Sequence, residues 1–309
     1  MCIEAKLTNY IEHNVIQKNS KIGAYSWVRN SSEIKNSLIS DNVFVGFRCK
    51  INNTIIGANT QIASNVIIGE ETTNSDKVII ESGVWIGVKA IIDPGVKIGY
   101  RAIIGACSHV TEDVPANSIV VGRPAKLLRN REHIIEDGLP ELKSILNKVL
   151  QRSSSPNQQY LSKIKVGKNN LINCQLSALT NVEIGSNNIL IGSPDGPSKQ
   201  GGITLGNDVI IRNNIIMEGG GNIRIGNDCY INDNVLIVSN SHDTKFSSLP
   251  WIETPVSIGN NVLIEKNVTI IGPSEIGDNV LIKENAVIMG KIANNSISRG
   301  IFNKEKEII

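Results

Sequence analysis

Aromatic side chains are nearly missing: three Trp, five Tyr and four Phe make up 4% of 309 residues. An ordinary helical enzyme of this size packs its core with more aromatic volume, so the interior here must be filled by something smaller and more regular. Histidine is just as scarce. The four, His13, His109, His133 and His242, are far apart in sequence, which disfavours a metal centre built on closely spaced histidines. Five cysteines, Cys2, Cys49, Cys107, Cys174 and Cys229, are odd in number and lack C-x-x-C spacing. That argues against a disulfide framework and against a zinc ribbon. No run of 18 apolar residues occurs, and the start, MCIEAKLTNYIEHN, has no charged-then-apolar leader pattern. The expectation is a cytoplasmic chain with no integral membrane segment. With 31 basic and 29 acidic residues, nothing in the charge calls for a nucleic-acid partner.

What the chain has in excess is isoleucine, 51 residues, and asparagine, 37. This pairs a β-branched core-former with a turn-former, and it predicts short strands joined by tight turns. The isoleucines are periodic. Ile80, Ile86, Ile92, Ile98, Ile104 and Val110 are spaced by six, and Ile258, Ile264, Ile270, Ile276, Ile282 and Ile288 repeat the spacing. Shorter runs include Ile22, Val28, Ile34, then Ile39, Val45, Ile51, then Ile56, Ile62, Ile68, and later Ile225, Ile231, Ile237. Period six fits neither a helix nor a plain strand. It fits a short strand with one inward aliphatic, then a turn at a residue that tolerates positive φ, three such units closing one coil. Gly follows the inward aliphatic at Gly23, Gly46, Gly87, Gly99, Gly259 and Gly277, among others, and is read as the corner residue.

This [Ile/Val/Leu]-Gly-x4 pattern resembles the hexapeptide-repeat acyltransferases, whose left-handed parallel β-helix departs from the usual right-handed crossover. Residues 78–131, VIIESGVWIGVKAIIDPGVKIGYRAIIGACSHVTEDVPANSIVVGRPAKLLRNR, are similar throughout to the last coils and tail of the sugar and antibiotic O-acetyltransferase branch. The resemblance covers the chain twice. The fold expected is all-β: two tandem left-handed parallel β-helix domains, residues 1–130 and 161–309. Between them, over 131–160, apolar Leu139, Leu142, Ile145, Leu146 and Val149 predict a short helical linker. An internal duplication accounts for the two copies.

In the second copy the period breaks between Ile237 and Val256, throwing out a loop that begins SNSHDT. Members of the resembling family carry their catalytic histidine in such a loop. His242 is therefore the expected general base, with Asp243, Asn240 or Glu218 as candidates to orient its ring. Acetyl transfer from a thioester needs a base of near-neutral pKa and no covalent enzyme intermediate, a task that imidazole suits. The bland alternative is a polar loop residue. In the first copy, EETTNSDK stands where a histidine loop would be expected, so that copy is read as lacking a base. His109, beside inward Val110, is expected to point outward into solvent.

The first copy keeps what the resemblance assigns to coenzyme A. Gly122, Arg123, Pro124, Ala125 and Lys126 match the tail that packs on the adenine, with Arg123, Lys126, Arg129 and Arg131 as a basic cluster for phosphates. Gly105, Ala106, Ser108 and Thr111 match the stretch along the pantetheine arm, and Trp85 an aromatic near the acetyl end. The second copy has Leu263 for Trp85 and an eroded tail, leaving Lys283 as a candidate phosphate contact. The expected site is either composite, with His242 serving coenzyme held by copy one, or lies wholly among copies of the second domain in a homotrimer. The expected activity moves acetyl from acetyl-coenzyme A, without a metal, to a hydroxyl or less readily an amine of a saccharide, as in a surface polysaccharide or its precursor. The rival from another class is an inactive β-helix scaffold.

Overall fold

The computed structural model describes residues 9–69, 76–140, 142, 145, 146, 164–192 and 201–303. Contacts divide the chain into two compact units, Met1–Gln151 with Thr244–Pro250, and Arg152–Asp243 with Trp251–Ile309. In the first, mostly two- and three-residue strands stack into three sheets of eight, six and five strands, parallel throughout except for the last strand of the eight-stranded sheet. Each inward aliphatic lies on its counterpart one coil later. Val28 pairs with Val45, Val45 with Ile62, Ile62 with Ile86 and Ile86 with Ile104. The same stacking joins Ile34, Ile51, Ile68, Ile92 and Val110 on the second face, and Ile39, Ile56, Ile80 and Ile98 on the third. All are buried. Period six is thus three strands per coil, and the six-residue spacing of aliphatics becomes three apolar columns.

The second unit repeats the construction on Ile184, Ile211, Ile231, Ile264 and Ile282 along one face. Its other two faces merge into one 11-stranded path, because the strand Thr269–Ile276 pairs first with Leu236–Val238 and then with Val256–Ile258. The four described cysteines form no disulfide. Cys229 is buried, and Cys174 packs on the core of this unit with its thiol pushed up to about 12 by burial. They act as small apolar residues.

The corners differ from expectation in which residue turns the chain. Positive φ falls three residues after the inward aliphatic, on Asn42, Asn59, Asn65, Arg101, Asn261, Asn279 and others. Here the side-chain amides also form ladders between coils, Asn42 Nδ2 donating to Asn59 Oδ1 at 2.7 Å and Asn261 Nδ2 to Asn279 Oδ1 at 2.8 Å. The glycines that follow the inward aliphatics, Gly69 apart, have ordinary negative φ and are required by close approach. A Cβ on Gly87 would sit 2.6 Å from the Ala106 nitrogen, and on Gly46 2.6 Å from the Ala63 carbonyl carbon. Asparagine explains the turn and glycine the coil spacing.

A helical linker over 131–160 is not supported. Residues 151–163 and most of 141–150 lie outside the described residues, Leu142, Ile145 and Leu146 alone of the described span being helical, and Arg131–Pro140 is irregular chain grouped with the first unit. The EETTNSDK loop also falls almost entirely outside the described residues. Among the described residues, no helix is long and apolar enough to cross a membrane.

Candidate active site

In the second unit the repeat is broken after the strand Leu236–Val238, where the chain leaves the coil as an antiparallel pair, Asn240–His242 with Trp251–Glu253. Asn240 faces Glu253, Ser241 faces Ile252 and His242 faces Trp251. Strand alternation then places Asn240, His242, Trp251 and Glu253 on one face of the hairpin and Ser241 with Ile252 on the other. Sequence reasoning found the first two. Trp251 and Glu253 it missed, although a hairpin folded about the loop centre would have paired them with the SNSH segment. His242 and Asp243 are half-buried.

The base of the hairpin is fixed by the buried Ser239. Its Oγ donates to the Glu218 carbonyl at 2.8 Å and accepts from the Gly221 N–H at 3.0 Å, while its own carbonyl accepts from the Thr254 N–H at 2.9 Å. A Cβ on Gly221 would run into the Ser239 carbonyl, and one on Gly272 into the Thr254 carbonyl. These two glycines let the hairpin leave between coils that are already at strand spacing.

In the first unit most of the coenzyme candidates meet at one end of the solenoid. The strands Ser118–Gly122 and Ala125–Asn130 form an antiparallel hairpin turning at Arg123–Pro124, with Gly122 at φ 102°. The Gly122 N–H donates to Ser108 Oγ at 3.2 Å, Arg123 Nη1 donates to the Cys107 carbonyl at 3.3 Å, and Lys126 Nζ lies 3.7 Å from Glu112. A Cβ on Gly105 would be 2.6 Å from Val121 Cγ1. So Gly105, Ala106, Ser108, Thr111, Arg123, Pro124, Ala125 and Lys126 are drawn together. Trp85 is half-buried in the same sheet, two strands from the hairpin, opposite Ile103, which in turn faces Ile119.

Two of these roles need correction. Ser108 is fully buried and its hydroxyl is used in holding Gly122, so it shapes the coil end and presents no surface to a ligand. Arg131 is buried as well, its guanidinium donating to the carbonyls of Thr244, at 2.7 and 3.2 Å, Phe246, at 3.2 Å, and Arg101, at 2.9 Å. Burial, then repulsion from Arg101 and Arg129, holds it below the ordinary arginine value. It leaves the basic cluster to Arg123, Lys126 and Arg129, which are exposed.

Sequence profiles of known families match both units. Residues 8–86 match the GlmU-like C-terminal hexapeptide, residues 77–112 the hexapeptide repeat of succinyl-transferase, and residues 255–290 the bacterial transferase hexapeptide of six repeats. These stretches carry hexapeptide repeats of the transferase type. No curated protein sequence matches it significantly. Among solved structures it is similar to the acetyltransferase domain of PglB from Neisseria gonorrhoeae, at 22% identity over 41% of this chain and 60% of that one, with a TM-score of 0.37. It is also similar to AntD, an N-acyltransferase from Bacillus cereus, at 18% identity over 46% and 86%, TM-score 0.35. A maltose O-acetyltransferase from Clostridium difficile matches at 29% identity over 39% and 65%, TM-score 0.29. Each spans less than half of this chain.

In this hexapeptide-repeat protein the left-handed β-helix supplies rigid coils, and its candidate chemistry sits where coils are interrupted or end. Lys283 stands elsewhere. Its Nζ is 2.7 Å from Glu265 Oε1, one coil below, on the face of the second unit that carries Leu263–Ile264 and Leu281–Ile282. The hairpin leaves from a different sheet. The Lys283 ammonium holds the Glu265 carboxyl below its usual range, and the Glu284 N–H adds to this. An intercoil ion pair is the use the structure gives it, and it is not grouped with His242. His109 points outward as expected but is paired with Asp93 at 2.7 Å. Among the described residues, no group of three or more His, Cys, Asp or Glu is placed to hold a metal ion.

Proposed function

We propose that the protein is an acetyltransferase that uses acetyl-coenzyme A, with His242 as general base and a saccharide hydroxyl, or an amine, as acceptor. The observation that carries this is the hairpin at Asn240–His242. At this interruption of the second unit's repeat, a half-buried imidazole is brought out from the coil on a paired hairpin. His242 would take the proton from the acceptor as its oxygen or nitrogen attacks the thioester carbonyl, and return it to the departing thiolate. Asp243 or Asn240 would orient the ring. Backbone N–H groups at a coil corner would receive the developing oxyanion. In the first unit, taken by itself, Arg123 and Lys126 at the exposed tail turn, with Gly105, Ala106, Thr111, Pro124, Ala125 and Trp85 around it, would hold coenzyme phosphates and the pantetheine arm. The working assembly would be a homotrimer, since open grooves on one β-helix become walled sites beside another. Units of a surface polysaccharide or its precursor are the acceptor class we favour.

The test is thiol release from acetyl-coenzyme A in the presence of a sugar acceptor. His242→Ala should lower turnover by roughly a hundredfold or more with little change in coenzyme affinity. Unchanged turnover would remove His242 from the mechanism. A chain that binds no coenzyme at all would point to the scaffold reading.

A further inference from the structure

The first unit was read as lacking a base. Its last strand on the six-stranded sheet is His109–Val110, which pairs with Ile91–Ile92 and ends that sheet. Ile91 lies opposite His109 and Ile92 opposite Val110. With Ile92 and Val110 buried inward, alternation puts Ile91, Asp93, His109 and Thr111 together on the outer face, Asp93 alongside Thr111. Across that face His109 Nε2 meets Asp93 Oδ1 at 2.7 Å, the imidazole about one-third exposed. A carboxylate at that distance accepts from Nε2–H, which fixes the tautomer and leaves the Nδ1 lone pair for a substrate proton. Three neighbouring charged groups have contacts of their own. Glu112 faces Lys126, Asp113 accepts from the Lys97 N–H, and Arg123 donates to the Cys107 carbonyl. Asp93 is therefore the group that governs the ring. Thr111 beside it is one of the residues to which we have assigned the pantetheine arm.

We propose that His109, oriented by Asp93, is a second general base, so that the first unit carries an acetyl-transfer site of its own. The inference rests on the coenzyme reading given above. In the reaction the acceptor hydroxyl oxygen attacks the carbonyl carbon of acetyl-coenzyme A as its proton passes to His109 Nδ1. The C–S bond then breaks, the ester forms, and the coenzyme thiolate takes the proton back from the imidazolium, whose other nitrogen stays bonded to Asp93. Atoms and charge balance with acetyl-coenzyme A and the acceptor alone. An ordinary surface ion pair would do none of this, and the difference is measurable.

With only four histidines, the full-length chain labelled with 15N-histidine gives four ring spectra. Titration with coenzyme A is expected to move the His109 ring signals, and Asp93→Asn to change the His109 tautomer pattern and weaken that response. In parallel, thiol release from acetyl-coenzyme A is followed with glucosamine, a probe that offers both hydroxyls and an amine. The residual turnover of His242→Gln should fall a further tenfold or more in His242→Gln/His109→Gln. If coenzyme moves the His242 ring and not that of His109, or the double variant equals the single one, the second site is overturned and the proposed function stands. If no ring responds and no thiol is released by the unaltered chain, the coenzyme reading falls and the second site with it.

Discussion

At Arg131 a buried guanidinium is held by backbone carbonyls, with Glu136 paired to its neighbour Arg101. Arg131→Ala would leave the Thr244 and Phe246 carbonyls without this donor, at about 1–3 kcal/mol for each group left unsatisfied, less the relief of a buried charge. A net loss of about 2–4 kcal/mol is expected, read as a lower urea midpoint at unchanged slope. Close by, Asp137 Oδ1 accepts from the Ser248 N–H at 2.9 Å and its Oδ2 from the Ser248 hydroxyl at 2.6 Å. The hydroxyl bond, then the backbone N–H, holds the Asp137 carboxyl below its ordinary value. A lowered folded pKa means that this stabilisation is present above the unfolded value, near 3.9, and is lost as pH falls through the folded one. The Ser248 amide shift should thus titrate below the usual aspartate range, and Asp137→Asn should abolish the step. In sequence, Arg131 was one more cation in a basic tail. Its burial depends on residues 244–246, more than a hundred positions away, which composition cannot show. The pairings of His109 with Asp93 and of Lys283 with Glu265 were closer to hand. They are 16 and 18 residues apart, about one coil, and a six-residue period already implies that such residues are neighbours.

Among the elements, the strands were legible because their rule is simple: one inward aliphatic every six residues. Ile270, buried between Ile237 and Ile288, stands for all of them. Ile270→Ala should cost about 2–5 kcal/mol by denaturant unfolding, since a fixed column collapses poorly around a cavity. The corners were legible in composition and misread in cause. Asn takes the left-handed position, and Gly87 is glycine because the next coil is too near for a Cβ. Gly87→Ala must push backbone against backbone, so it should destabilise by more than 2 kcal/mol where an Asn65→Gly change at a true positive-φ corner costs under 1. Equal effects at the two sites would contradict this division of labour. The His-bearing hairpin was visible as a break in the period. Its register, which adds Trp251 and Glu253 to the face of His242, had to come from the fold.

For the whole molecule, tandem duplication was plain in the repeat, and the units divide at Gln151, within the linker span, except for one segment. Thr244–Pro250 belongs with the first unit, supplying the carbonyls that Arg131 binds and the hydroxyls that Asp137 binds. No periodicity signals that assignment, because the segment is irregular chain. A polypeptide cut to residues 1–151 should unfold at lower urea than the same unit in the intact chain, with Arg131→Ala nearly silent in the shortened form. Repeat coils, an extruded imidazole and a tail turn of exposed cations together make the claim that this protein binds acetyl-coenzyme A. Calorimetric titration of acetyl-coenzyme A into the full-length protein tests that claim most directly. Saturable binding, weakened by replacing Arg123 and Lys126 and retained in His242→Ala, is the result predicted. No binding at millimolar coenzyme would contradict it.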